Sequence, residues 1–547
     1  MSASVAPQPF DLASLASARA EDVEWPAAIE AFRAVLGPGG VDDSGDGIAA
    51  AERNAGAVQR KVSCLLRPRS TADVVGIVEV ANRLRVPLYA FSTGRNWGMG
   101  SRLPVRDGGA LVDLGGMDRI ERVDPRGFAV IEAGVTQGAL HARLQHDGLP
   151  LFLDPTGSAS YTSYVGNVLE RGIGYFAPRF QTLLGLEVVL GNGTVVRTGY
   201  WHDERVTDPW ALPYGVGPYL DGLFTQSNYG IVTRAVIALH QRPERFSSFW
   251  ARLSDESRLP DLIDALRGLR RSGALKSVVH VADKQRSGSA LLPLLGVPSP
   301  GIARAAELPG ADPNAVLPWS AIGPIWGPAS MVRAAESECK RGLRGICDVQ
   351  IVTERKVELA MTVLGALSFV PACARLLRTA RAAAPLMAYS RGIPSDAALP
   401  SVFWPIEDVP QGRLEPDHSN SGVLYVLPAV PFDGASAAKA VQITRRTAAE
   451  HGLPSYITLN TMTDHALEGV LNVAFDRRAP AQVDAAHRAV DAMLEQFYAA
   501  GFPPYRVGIQ QLGRVLRADD PFWVTVARLK AALDPHGIIA PGRYNLV

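Results

Sequence analysis

Short apolar runs alternate with stretches of helical spacing from Val62 to about Arg242. The runs VSCLLRP, VPLYAFST, ALVDL and FAVIEAG are rich in β-branched and aromatic residues, and each predicts a strand. Between them, TADVVGIVEVANRLR and TQGALHARLQHDG space their apolar residues along one helix face, and Ser70 is the expected N-cap of the first. LGLEVVLGNGTVVRTG predicts two strands around a Gly191-Asn192-Gly193 turn. Upstream, Trp25–Leu36 reads as an amphipathic helix stopped by Gly37, Pro38, Gly39 and Gly40. A polar, Gly/Asp-rich stretch follows to about Ala55, with no element assigned.

From about Pro243 the pattern changes. Proline-rich linkers such as GVPSPG and LPGADPNAVLPW punctuate the chain. Helices are expected at 258–270, 328–343, 435–452 and 480–500, and strands at 276–283, 348–353, 422–427 and 469–475. That mixture predicts a second domain, a sheet covered by helices. The stretch Pro503 to Val547 holds the helix FWVTVARLKAALD and a turn-rich tail. The fold class is therefore α+β, not a regular doubly wound series. The divisions expected are an N-terminal segment 1–60, a first domain 61–243, a second domain 244–500 and a C-terminal segment 501–547.

Composition narrows the partners. The 547 residues are 47% hydrophobic and 20% charged, with a net charge of +1. No strong field draws nucleic acid or an anionic membrane, and a small, nearly neutral substrate suits the balance. The four cysteines, Cys64, Cys339, Cys347 and Cys373, make no disulfide framework. Cys339 and Cys347 lack a CxxC spacing or a nearby histidine, so free thiols are expected, with no metal, in a reducing cytoplasm. The N-terminus has neither the charged nor the apolar region of a secretory signal. No uninterrupted apolar run approaches the ~18 residues of a membrane span.

Three segments carry candidate chemistry. Ser92-Thr93-Gly94-Arg95-Asn96-Trp97-Gly98-Met99-Gly100 follows a strand, and a strand comes next, so it is no GxGxxG helix start. Its successive N–H groups, with the Ser92 and Thr93 hydroxyls and the Asn96 amide, could cradle a diphosphate; a plain glycine-rich turn is the equal alternative. The second segment runs from Gly157-Ser158 through Ser163, Gly166 and Asn167 to Gly172, Gly174 and Tyr175. Its hydroxyls and glycines suit the lining of a polar cofactor better than a core element. The third, PYGVGPYLDGLFTQSNYGIVT, enters a strand at Gly230-Ile231-Val232, where backbone groups could meet a flat ring.

In order and wording these segments resemble the FAD domain of the vanillyl-alcohol oxidase and p-cresol methylhydroxylase family. LDPHGIIAPGR, ending at Arg543, resembles the family's tail returning to that domain. The resemblance covers about residues 60–245 and 400–547 and is vague between them. It implies a PCMH-type FAD-binding domain, a cap over the substrate, and FAD between the two. It also implies that Tyr505 and Arg506 bind a phenolate. A guanidinium lowers a phenol's pKa, and a tyrosine hydroxyl can donate to the oxyanion.

Three departures stand out. Met99 replaces a second phenolate-binding tyrosine, and a thioether cannot donate a hydrogen bond. Ser158 falls where the oxidase has an aspartate near the flavin, so water addition or charge balance at the reduced flavin would need another group or none; Asp154, four residues earlier, could reach only through a loop shift. No histidine occupies an obvious flavin-tethering position, and none precedes His141, so non-covalent FAD is expected, with His418 and Tyr425 as candidates for a bond. His202, His465 and His536 read as surface or structural residues.

The activity implied is FAD-dependent oxidation of a para-substituted phenol, with hydride passing from a benzylic carbon to the flavin and a quinone methide left behind. O2 or an electron-carrier protein would reoxidise the flavin, and a homo-oligomer is expected. Met99 and Ser158 keep a second reading open, oxidation of a non-phenolic alcohol or secondary metabolite. A flavin-binding protein without turnover is the third.

Overall fold

The computed structural model describes residues 15, 17–308 and 316–547. Residues 1–14, 16 and 309–315, with the N-terminal stretch and most of the linker LPGADPNAVLPW, lie outside the described residues.

The first sheet holds β1 (Val41–Asp42), β2 (Val62–Leu66), β3 (Leu88–Phe91) and β4 (Gly109–Asp113), in the order β1-β2-β4-β3. β2, β4 and β3 run parallel, and β1 is antiparallel to β2. Ser70 caps the helix Thr71–Leu84 in a capping box with Asp73. The helix buries Val74, Ile77, Val78 and Ala81 against this sheet. The stretch without an assigned element contains a helix, Gly45–Glu52, because Ser44 Oγ accepts the Gly47 N–H at 3.1 Å and starts it.

The next strands are β5 (Ile120–Asp124), β6 (Phe128–Glu132), β7 (Leu151–Phe152), β8 (Leu183–Leu190), β9 (Val195–Arg197), β10 (Gly230–Ala238) and β11 (His240–Gln241). Five form an antiparallel sheet in the order β5-β6-β10-β8-β9, and β7 pairs with β11. β8 and β10 are buried on both faces. Val189 and Ile231 join the core of the first sheet, and Val188 and Val232 join a second core. That explains their apolar runs without alternation.

The C-terminal segment returns to this domain. Leu88 N–H donates to Ile538 O, and Ala540 N–H to Leu88 O, each at 2.7 Å. Buried Lys530 fastens the tail through Asn228 O and Asp534 Oδ2 at 2.5 Å and Ile539 O at 2.6 Å. Burial pulls its ammonium down to about 8, against the opposing pull of Asp534. Lys530→Met leaves Asp534 buried and uncompensated, so the expected loss is about 3–5 kcal/mol of stability, read by urea unfolding.

The second domain is an eight-stranded antiparallel sheet. Its strands are β12 (Arg245–Leu253), β13 (His280–Asp283), β14 (Trp319–Gly327), β15 (Asp348–Thr353), β16 (Ser421–Pro431), β17 (Ser455–Thr461), β18 (Ala466–Asp476) and β19 (Pro504–Arg506). The order is β15-β12-β14-β13-β17-β18-β16-β19. The four expected helices, at Leu259–Arg271, Ala329–Gly342, Gly434–Glu450 and Pro480–Ala499, supply residues to the core on one face. β12, β14, β17 and the helices Glu354–Ala366 and Pro371–Ala388 were not expected from the pattern.

Strand alternation decides what faces the first domain. Val281, Ile457, Leu459, Leu471 and Val473 pack under the helices. His280, Tyr456, Asn460, Glu468 and Asn472 therefore point from β13, β17 and β18 to the opposite face. On β16, Leu424 and Val426 are in the core, so Tyr425 joins the polar set.

Candidate active site

The turn after β3 is built to present donors. Gly94, Gly98 and Gly100 have φ of +68°, +72° and +103°, which only glycine adopts freely. Met99 and Ser101 N–H groups close it onto Asn96 O at 3.1 and 3.0 Å. Among the described residues, no N–H from Thr93 through Gly98 donates to a protein acceptor. The turn is pressed against the cap. A Cβ on Gly98 would lie 2.6 Å from the Tyr425 ring and 2.8 Å from Val423 O, and one on Gly100 would lie 2.5 Å from Ile509. Met99 is buried, and its carbonyl accepts the Ile509 N–H at 3.3 Å.

Behind the turn lies a cavity of about 540 Å³ whose walls mix cationic Arg95, Arg102 and Arg413 with acidic Asp113, Asp118 and Glu415. Gly134 admits no side chain, since a Cβ would meet three carbonyl oxygens at 2.7–2.8 Å. Arg95 pairs with Glu415 at 2.9 Å and lies 4.7 Å over the Tyr161 ring. The Arg95 Nε and Trp97 Nε1 groups are buried without partners. His418 is exposed at the rim, where burial of its ring and the charge of Arg102 hold its imidazole below the ordinary value.

The second segment threads between this turn and the cap. Ser163 N–H donates to Thr93 Oγ1 at 3.1 Å, and its hydroxyl caps the short helix Tyr164–Leu169 through Gly166 N–H. A Cβ on Gly166 would lie 3.1 Å from Ser92 Oγ. Part of the segment expected to be a poor core element is core: Tyr164, Val165 and Val168 are fully buried. Gly157 is exposed. Ser158 Oγ shares hydrogen bonds with Thr156 Oγ1 at 2.6 Å and Thr162 Oγ1 at 2.8 Å. Asn167 Oδ1 is buried without a partner, and its amide packs where a Cβ on Gly172 would sit.

Asp154 is not available to replace the missing carboxylate. It is buried, it accepts the Phe176 and Ala177 N–H groups at 3.0 Å, and it fills the space above Gly174. Burial pushes its carboxyl up to about 6, against the lowering pull of Arg179 and these N–H groups. Tyr175, expected at the cofactor, stacks on Tyr389 of the cap and meets His280 at a tilt, with ring centroids at 4.9 and 4.2 Å.

In the third segment, Ile231 and Val232 bury their side chains in the two cores, so only backbone could face a ring there. A Cβ on Gly230 would lie 2.5 Å from Val188. Asn228 Nδ2 donates to Ala540 O and Val547 O at 3.1 Å, tying this turn to the tail.

All three segments meet at Tyr505 and Arg506 on β19, which pairs with β16. Arg506 Nη2 donates to Asn96 Oδ1 at 2.5 Å, and its Nε lies 3.4 Å from Glu170 Oε2. Glu170 also pairs with Arg543 and accepts the Tyr544 hydroxyl at 2.9 Å. Burial would raise the Glu170 carboxyl, but Arg543 and Arg506 more than reverse it and hold it below its ordinary value. Arg543, expected at the cofactor, thus reaches Arg506 through Glu170. Gln226 Nε2 donates to Tyr505 O at 3.3 Å. The Tyr505 hydroxyl is buried without a partner, and burial, then the charge of Glu468, push it well above its ordinary value.

Sequence reasoning missed the polar row on the cap's inner face. Glu468, Asn460 and His280 are cross-strand neighbours on β18, β17 and β13. Asn460 Nδ2 donates to Glu468 Oε2 at 2.9 Å, and Asn460 Oδ1 accepts from His280 Nδ1 at 2.7 Å. Burial pushes Glu468 up to about 7, with Asn460 and Arg506 opposing. Burial also draws His280 down to about 4, so it is neutral. Polar residues at alternate positions of an apolar strand were the available signal. Among the described residues, no three His, Cys, Asp or Glu side chains could hold a metal, and all four cysteines are free.

Residues 62–199 match the FAD binding domain family, and residues 419–544 match the C-terminal domain of FAD linked oxidases. The chain is 32% identical to 1'-carboxy-chondrochloren decarboxylase of Chondromyces crocatus over 95% of this chain and 97% of that protein. It superposes on p-cresol methylhydroxylase with substrate bound at a TM-score of 0.81, 26% identical, covering 96% of this chain and 97% of that one. The chain belongs to the PCMH-type FAD flavoprotein family. A 4-ethylphenol oxidase from Gulosibacter chungangensis, in an isoeugenol complex, superposes at a TM-score of 0.82 and 25% identity, covering 97% and 99% of the two chains. A PCMH-type flavoprotein uses FAD, and the residues here fit that group. The unbonded N–H run from Thr93 to Gly98 suits the diphosphate, and the orphaned Asn167 and Trp97 atoms await polar partners. No helix among the described residues is long and apolar enough to cross a membrane.

Proposed function

We propose that this flavoprotein oxidises a phenol bearing a para substituent. The observation that carries this reading is the Tyr505–Arg506 pair: an unpartnered buried hydroxyl beside a guanidinium fixed by Asn96 and Glu170. Arg506 stabilises the phenolate, and the Tyr505 hydroxyl donates to its oxygen. Glu468, buried close enough for its charge to act on both residues, takes the phenol's proton. Ionisation pushes electrons toward the para carbon, which makes the benzylic hydrogen hydridic. FAD supplies the acceptor for that hydride, and the substrate becomes a quinone methide. O2 or an electron-carrier protein serves as the terminal oxidant. Thr93 to Gly98, Asn167 and Gly230 to Val232 hold the cofactor, non-covalently, with Tyr425 against the turn and His418 at the rim.

One observation favours a variant of this chemistry. Ser158 and its hydroxyl partners offer no carboxylate to activate water, and Asp154 is committed elsewhere. A quinone methide with a carboxylate on the carbon next to the methide carbon can lose CO2 without a base: the C–C pair becomes an alkene, and the exocyclic pair returns to the ring and restores the phenolate. A decarboxylase among the relatives agrees with that outcome. Oxidation of a non-phenolic alcohol remains the competing substrate class, motivated by Met99. Anaerobic mixing of the holoenzyme with a panel of 4-alkylphenols and benzylic alcohols tests the assignment. The expected result is bleaching of the flavin by phenols, and bleaching by alcohols alone would overturn it.

A further inference from the structure

The helix Lys284–Leu291 begins where β13 ends, and Arg286 stands in its first turn. Asp283 caps the helix, accepting the Arg286 N–H at 2.9 Å and the Ile457 N–H at 3.3 Å. The other Asp283 oxygen has no hydrogen bond and lies 3.8 Å from Arg445. Arg286 Nη1 donates to Ser401 Oγ at 3.1 Å, and among the described residues no carboxylate lies within ion-pair distance of its guanidinium. Ser401 in turn donates to Ala398 O at 2.7 Å, so it orients Arg286 and has no proton left for a ligand.

This corner faces the site. Ala398 Cβ lies 4.0 Å from where a Gly157 Cβ would stand, and Asp396 accepts the Ser160 N–H at 2.6 Å. The charge of Arg286 acts on Tyr175, Tyr389, Tyr425 and Tyr456, favouring their ionised forms, and on His280, disfavouring its protonation. The Tyr456 hydroxyl and His280 Nε2 are buried without partners. A half-buried guanidinium normally finds a carboxylate or phosphate to offset its lost hydration. Asp283, which caps the helix, acts on Arg286 only from beyond ion-pair distance, and among the described residues no other carboxylate pairs with it.

We infer that Arg286, oriented by Ser401 and aided by the Tyr456 hydroxyl, binds a carboxylate carried by the substrate at the end remote from the group held by Arg506. The row from Glu468 to His280 crosses two strand spacings, ~10 Å. Arg506 acts on Glu468 at one end of that row and Arg286 on His280 at the other, so the ligand class is an aromatic ring with a short side chain ending in a carboxylate. The ion pair fixes where the charge lies and breaks no bond itself. The inference rests on the proposed aromatic substrate, but its test needs no phenol.

The probes are 3-phenylpropanoate and its neutral counterpart 3-phenylpropanamide, neither able to form a quinone methide. Each is titrated calorimetrically into the FAD-loaded enzyme and its variants, with flavin content and absorbance as the check on folding. The wild type is expected to bind the acid roughly tenfold or more tightly than the amide. Arg286→Met abolishes that preference, Arg286→Lys retains part of it, and Arg506→Gln leaves it in place. Equal affinities in the wild type, no acid binding at millimolar concentration, or a preference lost in Arg506→Gln but kept in Arg286→Met would overturn the assignment. Failure of the phenol reading shows separately, as alkylphenols that do not bleach the flavin.

Discussion

Arg506→Ala is expected to lower kcat/KM for the best 4-alkylphenol by roughly 10²–10³-fold, the usual cost of removing one preorganised group from a developing anion. The deficit should concentrate in the rate of flavin bleaching, because phenolate charge drives hydride loss more than it drives binding. Removing the guanidinium also frees Asn96 and leaves Glu170 with one cationic partner instead of two. Arg543 still holds Glu170, so flavin content should survive. Stopped-flow bleaching of protein with full FAD occupancy measures the effect. Undiminished bleaching would remove Arg506 from the chemistry.

The second large effect concerns Glu468. Its carboxyl, raised to about 7, accepts a proton only when ionised. Bleaching by a phenol should therefore rise with pH through about 7 in the wild type and fall away below it. Glu468→Gln keeps the hydrogen bond to Asn460 in kind but cannot take a proton. It should erase the inflection near 7 and lower the rate about 10²–10⁴-fold at neutral pH. As the pH approaches the ordinary phenol pKa of about 10, the substrate ionises unaided and the deficit should narrow. A structural role alone would lower the rate at every pH and leave the inflection where it was.

The glycine-rich turn after β3 was legible because it is made of backbone. Gly94 and Gly98 are glycine for reasons of φ and of space, and such requirements leave continuous, readable words in a sequence. Ser70 and its helix were equally plain. The substrate side was not, because it is made of single side chains brought together by register. Glu468 lies just outside the strand expected at 469–475, so its partnership with Asn460 could not be read. β14 carries Gly323-Pro324 at its centre, a signal that argues against an interior strand, yet Pro324 sits opposite Ser248 of β12 in the middle of the sheet. Without β14 and β17, the placement of His280 and Arg286 had no frame. Asp154 is the converse case: a carboxylate near the right place in sequence holds a turn in space.

The staple across the two domains has a kinetic consequence. Gly98 and Gly100 press on Tyr425 and Ile509, and Arg506, on a cap strand, grips Asn96 and Glu170 of the first domain. A hinge motion that parted the domains would break these contacts together and dismantle the site it exposed. Entry and exit that spare the site would pass through gaps opened by individual side chains while the domains stay shut. Residence time in this enzyme would be set by rotamer gates, and bulky substrates would be filtered by passage before they are judged by fit.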